Sequence, residues 1–346
     1  MKRKRKFIIL FITITLILIT TTLLFPTWTP KIEGVNSISV LKPIEINGTK
    51  LEVMIRGADK NNPILIFVHG GPGCSEIPYV RKYQDLLEEH FTIVHYDQRG
   101  SGKSFHFFED YSSITSDKHV DDLLALTEYV KKEFSQEKVI LIGHSFGTYI
   151  GLKAANENPE KYAAYIGIGQ VSNNTISEMD SLEYTIEQAQ QAGNLKDVDQ
   201  LEFLRDSIKK GEALTPRNMV RKYGGAARLI NDNRDYFIGF LTSPEYNLLD
   251  VVRYFKGISA TQEILLDEGK ENDITTIVDS LDIPLYFVMG KYDYMTSTNA
   301  AKAFYDKLDA PIKDFVVFEQ SAHYLQFEEE TLFADWLIKT WEGLEL

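Results

Sequence analysis

Ser145 lies in Gly143-His144-Ser145-Phe146-Gly147, immediately after the apolar run Val139–Ile142 and ahead of a helical pattern from Phe146 to Asn156. A serine between glycines at a strand-to-helix turn has the form of a nucleophile elbow, in which the tight backbone admits no bulky neighbour. A serine hydroxyl is a weak nucleophile near neutral pH, so it needs a base within hydrogen-bond reach and an acid to orient that base. Behind an elbow the expected chain order is acid, then histidine. Asp293, in Met289-Gly-Lys-Tyr-Asp293, and His323, in Glu319-Gln-Ser-Ala-His323, each follow a predicted strand and meet that order. Asp273, Asp279 and Asp282 precede the strand and fall at the wrong end of the sheet, whereas His90, His95, His106 and His119 all precede the serine.

A tetrahedral intermediate also needs two backbone N–H donors for its oxyanion. One is expected from Phe146, the residue after the serine, and one from His69-Gly70-Gly71-Pro72-Gly73, directly after the strand Ile64–Val68. Gly71 is assigned the second donor, with Gly70 beside it as the open alternative. Glu76 lies just past this loop. Cys74 reads as a small packing residue. No dinucleotide fingerprint, phosphate-binding loop or His-Glu-x-x-His motif is present, so no cofactor or metal is expected.

Elements that could position these residues follow from apolar periodicity. Ser37–Ile46 and Lys50–Ile55 flank Asn47-Gly48, the strongest short hairpin signal. Pro63–Val68, Phe91–Tyr96, Val139–Ile142, Tyr162–Ile168, Ile283–Met289 and Phe315–Phe318 are short apolar runs with helical patterns between them. Runs apolar on both faces that alternate with helices predict a parallel sheet covered on both sides, an α/β fold. From 172 to 272 the pattern turns charged and amphipathic, which predicts a helical cap inserted between core segments 36–171 and 273–346. Within it Ile176–Ala192 and Leu201–Lys210 read as helices, and further helices are predicted at Thr298–Leu308 and about Glu328–Trp341.

The amino terminus differs from the rest of the chain. Residues 1–6 are basic, and Phe7–Phe25 is a run of nineteen residues without charge. Such a run is about long enough to cross a hydrocarbon layer of roughly 30 Å as a helix. The basic flank predicts a cytoplasmic start, a single-pass signal-anchor at 7–25 and an extracytoplasmic remainder. Leu23–Trp28 offers no Ala-x-Ala-like cleavage site; cleavage near Thr27 would give a secreted protein instead. Thirty-seven Lys and Arg stand against fifty Asp and Glu, a net charge of −13, which argues against a nucleic-acid partner. The single cysteine excludes an internal disulfide.

His69-Gly-Gly-Pro-Gly73, Asp97-Gln-Arg-Gly-Ser-Gly-Lys-Ser104 and Gly143-x-Ser-x-Gly147 together resemble the prolyl iminopeptidases and their relatives among the α/β-hydrolases. The resemblance spans about 51–158 strongly and 283–327 moderately. It implies an eight-stranded, mostly parallel sheet with a helical cap, no metal, and Ser145, Asp293 and His323 as the triad. It further implies that Asp97-Gln98-Arg99 supports the oxyanion loop, with Arg99 as its ion-pairing member. Cleavage of a small amide or ester follows, with aminopeptidase action on short peptides ahead of an esterase or lactonase, and ahead of a non-catalytic binding protein. The family holds its substrate's ammonium with cap acids in a Trp-Glu element. Here the corresponding stretch is Tyr223-Gly-Gly-Ala-Ala-Arg-Leu-Ile230, and Trp28, Trp336 and Trp341 all lie outside the cap. Glu178, Glu183, Glu187, Glu202 and Glu245 remain as ammonium acceptors or as surface charges, and Glu76, closer in sequence to the oxyanion loop, is the candidate for binding the substrate.

Overall fold

The computed structural model describes residues 2–344. Its strands are β1 (Ile38–Ile46), β2 (Thr49–Gly57), β3 (Ile64–Val68), β4 (Thr92–Tyr96), β5 (Val139–His144), β6 (Tyr162–Ile168), β7 (Leu285–Gly290) and β8 (Lys313–Phe318). Among the described residues these eight form one sheet in the order β1-β2-β4-β3-β5-β6-β7-β8. β2 runs antiparallel to both its neighbours, and every other pairing is parallel. Asn47 and Gly48 both have positive φ, 46° and 76°, which is the turn geometry that suits a two-residue hairpin.

Alternation along the central strands supplies two cores. Ile64, Ile66 and Val68 of β3 join the cluster that includes Val120, Leu123, Leu126 and Val130 of helix α2 (Ser116–Phe134). Leu65 and Phe67 face the other side, with a cluster that includes Phe333, Ala334 and Leu337 of the C-terminal helix (Glu330–Gly343). Side chains two apart share a face, so a strand that is apolar throughout must be covered twice. β8, at the sheet edge, carries exposed Lys313 and Asp314, charges that discourage edge-to-edge pairing. The C-terminal helix differs from the expected single run at 328–341: a short turn, Leu325–Glu328, ends at Glu329 before the long helix starts.

Helix α3 (Phe146–Glu157) follows β5 directly. Between β6 and β7 the chain is helical: α4 (Asn174–Gln191), α5 (Leu195–Lys209), α6 (Arg217–Lys222), α7 (Asp232–Thr242) and α8 (Leu248–Glu271). Side-chain caps start several of them, such as Asn173 accepting from Ile176 N and Asn247 forming a capping box with Asp250.

The segment expected to be an anchor forms most of α1 (Lys2–Leu23). Its side chains at 2–3, 16–19 and 21–23 lie outside the described residues. Among the described residues no helix is long and apolar enough to cross a membrane. Beyond α1 the chain is tied to the body: Trp28 N donates to Pro244 O (3.0 Å), Asn247 Nδ2 to Phe25 O (3.0 Å), and Arg56 Nη1 to Thr29 Oγ1 (2.7 Å).

Candidate active site

β5 delivers Ser145 at a turn packed closely against the end of β3. The serine has φ 55° and ψ −127°, a conformation rarely adopted by residues other than glycine. A Cβ at Gly147 would come within 1.9 Å of Val68 O, and one at Gly70 within 2.7 Å of Ser145 Cβ. The two glycines therefore let the elbow and the 69–73 loop lie against each other. Ser145 N donates to Ile168 O (2.9 Å), which fastens the turn to the end of β6.

Asp293 and His323, thirty residues apart, meet after β7 and β8: His323 Nδ1 donates to Asp293 Oδ2 at 2.8 Å. Both are buried. Asp293 Oδ1 accepts from the backbone N–H groups of Met295 (2.9 Å) and Thr296 (3.0 Å), and Thr296 Oγ1 donates to Oδ2 (3.0 Å). Ser297 caps the following helix (Thr298–Tyr305), so Asp293 is free to orient the imidazole instead. Burial lowers the pKa of His323 against the pull of Asp293, which keeps the ring a neutral base at pH 7. Its Nε2 is left for the cavity side. Among the described residues no hydrogen bond joins Ser145 Oγ to His323, but both line one cavity of about 640 Å³.

Phe146 opens α3, and its N–H has no partner among the described hydrogen bonds, as expected in a first helical turn. The N–H groups of Gly70 and Gly71 are likewise untaken, and both residues line the cavity. Gly70 is the one pressed against Ser145, while a Cβ on Gly71 would meet Cys74 N at 2.7 Å.

The support of this loop is Gln98. Gln98 N donates to His69 Nε2 (3.0 Å) and Gln98 Nε2 to His69 O (2.7 Å), so His69 Nδ1 carries the proton that reaches Gly70 O (2.9 Å). Burial pushes the pKa of His69 down to about 4, in keeping with a neutral ring. Arg99 does form ion pairs, but with Asp122 (2.8 Å) and Glu109 (3.4 Å), and it donates to Asn47 O (3.2 Å). It braces the β1–β2 turn against α2, and among the described residues no hydrogen bond or ion pair joins it to the 69–73 loop. Asp97, buried and accepting from Lys103 N and Tyr246 OH, has its pKa raised to about 7 by burial.

A model of the alpha/beta hydrolase fold matches residues 63–330. The chain belongs to the α/β-hydrolase family. The hydrolase is 33% identical over 308 residues to the probable aminopeptidase YbaC of Bacillus subtilis, covering 87% of this chain and 96% of that one. It is 26% identical to a proline iminopeptidase of Saccharolobus solfataricus, covering 80% and 83%. Among solved structures, proline iminopeptidase of Mycobacterium smegmatis superposes with a TM-score of 0.66 at 15% identity, covering 88% and 98%, a likeness of fold.

The hydrolase's cavity lies between the strand ends and the inserted helices. Tyr236, Phe237 and Phe240 from α7 and Tyr254, Phe255 and Ile258 from α8 make much of its wall. Of the carboxylates considered as ammonium acceptors, Glu178 lines the cavity but is buried against Arg217 and accepts from Thr215 N (2.8 Å). Glu245 is buried elsewhere, accepting from Arg81, Thr29 and Ser243. Glu183, Glu187 and Glu202 bond to Arg205 or Gln191 on exposed helix faces. Glu76 lines the cavity, yet its Oε1 is 2.7 Å from His144 Nδ1. Cys74 packs against the cluster that includes Met54, Ile77 and Tyr254 and also lines the cavity.

Sequence reasoning passed over Gly169 and Thr296. Gly169, at φ 56°, sits where a Cβ would be 3.0 Å from His323 Nδ1 and 3.1 Å from Asp293 Oδ2. The Gly169 that follows Ile168 is a visible signal at a strand end. The Asp293-x-x-Thr296 spacing, typical of a side chain bonding its own turn, is a second.

Proposed function

We propose that this hydrolase uses Ser145 as nucleophile, His323 as general base and acid, and Asp293 to orient and stabilise the imidazole. The observation that carries the reading is the buried His323–Asp293 hydrogen bond of 2.8 Å on the wall of the cavity that Ser145 lines. Ser145 Oγ attacks a carbonyl while His323 takes its proton. The N–H groups of Phe146 and Gly71 receive the oxyanion, and His323 returns the proton to the leaving group. Water then repeats the cycle on the acyl-enzyme.

Within this chemistry we place aminopeptidase action on short peptides first, supported by the similarity to YbaC and to proline iminopeptidases. Hydrolysis of a carboxylic ester is the second reading. It is favoured by a cavity walled by aromatic and aliphatic side chains whose carboxylates, Glu76 and Glu178, are already paired. The test uses the full-length chain, with fluorogenic prolyl and alanyl amides, their N-acetyl forms, and short-chain esters. Turnover of free-amine amides, lost on acetylation and reduced by about 10⁶ in kcat in Ser145→Ala, is the expected result. Ester turnover alone moves the assignment to the second reading, and turnover that survives Ser145→Ala overturns the mechanism.

The reading includes a single-pass signal-anchor with the hydrolase outside the cytoplasm. It is supported by basic Lys2–Lys6 at the start of α1, followed by uncharged residues of which Phe7, Leu10 and Phe11 are all more than half exposed. Retention of the segment is favoured by the bond of Asn247 to Phe25, which cleavage near Thr27 would remove. Sequencing the mature amino terminus from the membrane fraction checks it, and a start near Thr27 overturns it.

A further inference from the structure

His144 stands between Gly143 and the nucleophile, where an elbow asks only for a residue that fits. Here it is buried and bonded at both nitrogens. Nδ1 is 2.7 Å from Glu76 Oε1, and Nε2 is 3.1 Å from the backbone carbonyl of His323. A carbonyl oxygen only accepts, so Nε2 carries a proton. In a neutral ring that leaves Nδ1 a lone pair, facing a carboxylate that also only accepts. The short contact therefore needs a second proton, held between Nδ1 and Glu76. Glu76 and His144 thus form one neutral unit. Burial opposes charge on both, but their mutual hydrogen bond and attraction outweigh it, raising His144 and lowering Glu76 toward imidazolium and carboxylate.

The unit reaches from the end of β5 to the loop beyond β8. That loop is also held by His323 N donating to Ala226 O (3.0 Å) and by Ala322 N donating to Glu328 Oε2 (2.6 Å). Of the contacts on residue 323, the His144 bond is the one made to its carbonyl, and it comes from the residue next to the nucleophile. The imidazole rings of His144 and His323 lie 4.9 Å apart, with Tyr324 against both.

We propose that Glu76 and His144 are positioning residues that tie the loop of the general base to the nucleophile elbow, and that Glu76 is therefore not the acceptor of a substrate's ammonium. This rests on the reading of His323 as base. Its consequence is that the distance between Ser145 and His323 is set by a side-chain strut that starts one residue before the nucleophile and ends on the backbone carbonyl of the base itself. The negative charge of Glu76 is balanced by His144 before any substrate arrives.

The test measures the second-order rate at which a fluorophosphonate probe labels Ser145 in the full-length chain, because that reaction reports nucleophile activation without any ammonium. Glu76→Ala and His144→Phe are expected to slow labelling about a hundredfold. Glu76→Gln should recover most of the rate, since an amide N–H can donate to Nδ1 while Nε2–H still reaches the carbonyl of His323. If Glu76→Ala or His144→Phe does not fold, Glu76→Gln decides by turnover. An unchanged KM for free-amine amides supports the proposal, whereas a tenfold higher KM for them, with acetylated amides and esters unaffected, overturns it. Equal labelling rates in all variants also overturn it. Failure of the wild type to label at Ser145 would sink the functional reading instead, so the two failures are distinguishable.

Discussion

The strand ends that carry the site and the helices above them are joined by different kinds of contact. At the strand ends backbone lies on backbone: Cβ atoms at Gly143, Gly147 and Gly290 would come within 2.7, 1.9 and 2.0 Å of the carbonyl oxygens of Gly147, Val68 and Ala322. Within the insertion the helices are joined by rings and ion pairs, such as Phe240 on Tyr254 (centroids 4.7 Å apart) and Glu178 on Arg217, and backbone lies on backbone where α7 and α8 dock on the core, at Gly239 and Gly257. Backbone packing at van der Waals limits accepts one residue type, whereas a ring contact or an ion pair can be built from many. The first kind of region therefore leaves motifs in a sequence. The second leaves amphipathic periodicity and isolated glycines such as Gly239 and Gly257.

The comparison can be broken at several points. Asp293→Asn should carry the larger effect, lowering kcat/KM by about 10⁴ while the fold is kept, because an amide holds the wrong tautomer of His323. A pH profile of the same pair of proteins sharpens it. In the wild type burial, helped by the charges of His144 and Arg221, outweighs Asp293 and places the pKa of His323 below 6.5, so activity should fall only as pH drops beneath that value. Removing the Asp293 charge should move the acid limb lower still. An acid limb above 6.5 in the wild type would contradict the burial argument.

On the insertion side, Phe237→Ser combined with Phe255→Ser should be gentler. Both rings line the cavity and are 63% and 59% exposed, so the double change should raise KM about tenfold and leave kcat within about twofold. Steady-state kinetics with two substrates of different apolar size measure it. A loss of kcat as deep as that of Asp293→Asn would mean that the insertion builds the catalytic geometry as well as the pocket.

The elbow, the 69–73 loop, the strand pattern and the order of Ser145, Asp293 and His323 were legible because each rests on local rules of spacing and apolar run length. Arg99 shows where such rules stop: its ion pair was foreseen, but its partners, Asp122 and Glu109, lie 23 and 10 residues on and brace a hairpin. Glu76 is a similar case, since a carboxylate near a candidate oxyanion loop reads as a ligand for substrate until its partner is known. The lack of a Trp-Glu element in the insertion was visible, yet the aromatic wall that stands in its place was not.

By itself the sequence determined the class of fold, the strand ends at which the chemistry sits, and the three residues proposed to carry it. Turn geometry, burial of apolar runs and the reactivity of side chains act over a few residues, and so can be read in order along the chain. Only the tertiary structure decided which carboxylates are already paired, that Gln98 rather than Arg99 holds His69, and that His144 links Glu76 to the loop of His323. Those facts depend on which polar groups are buried together from distant segments, where each must find a partner or carry the cost of lost water.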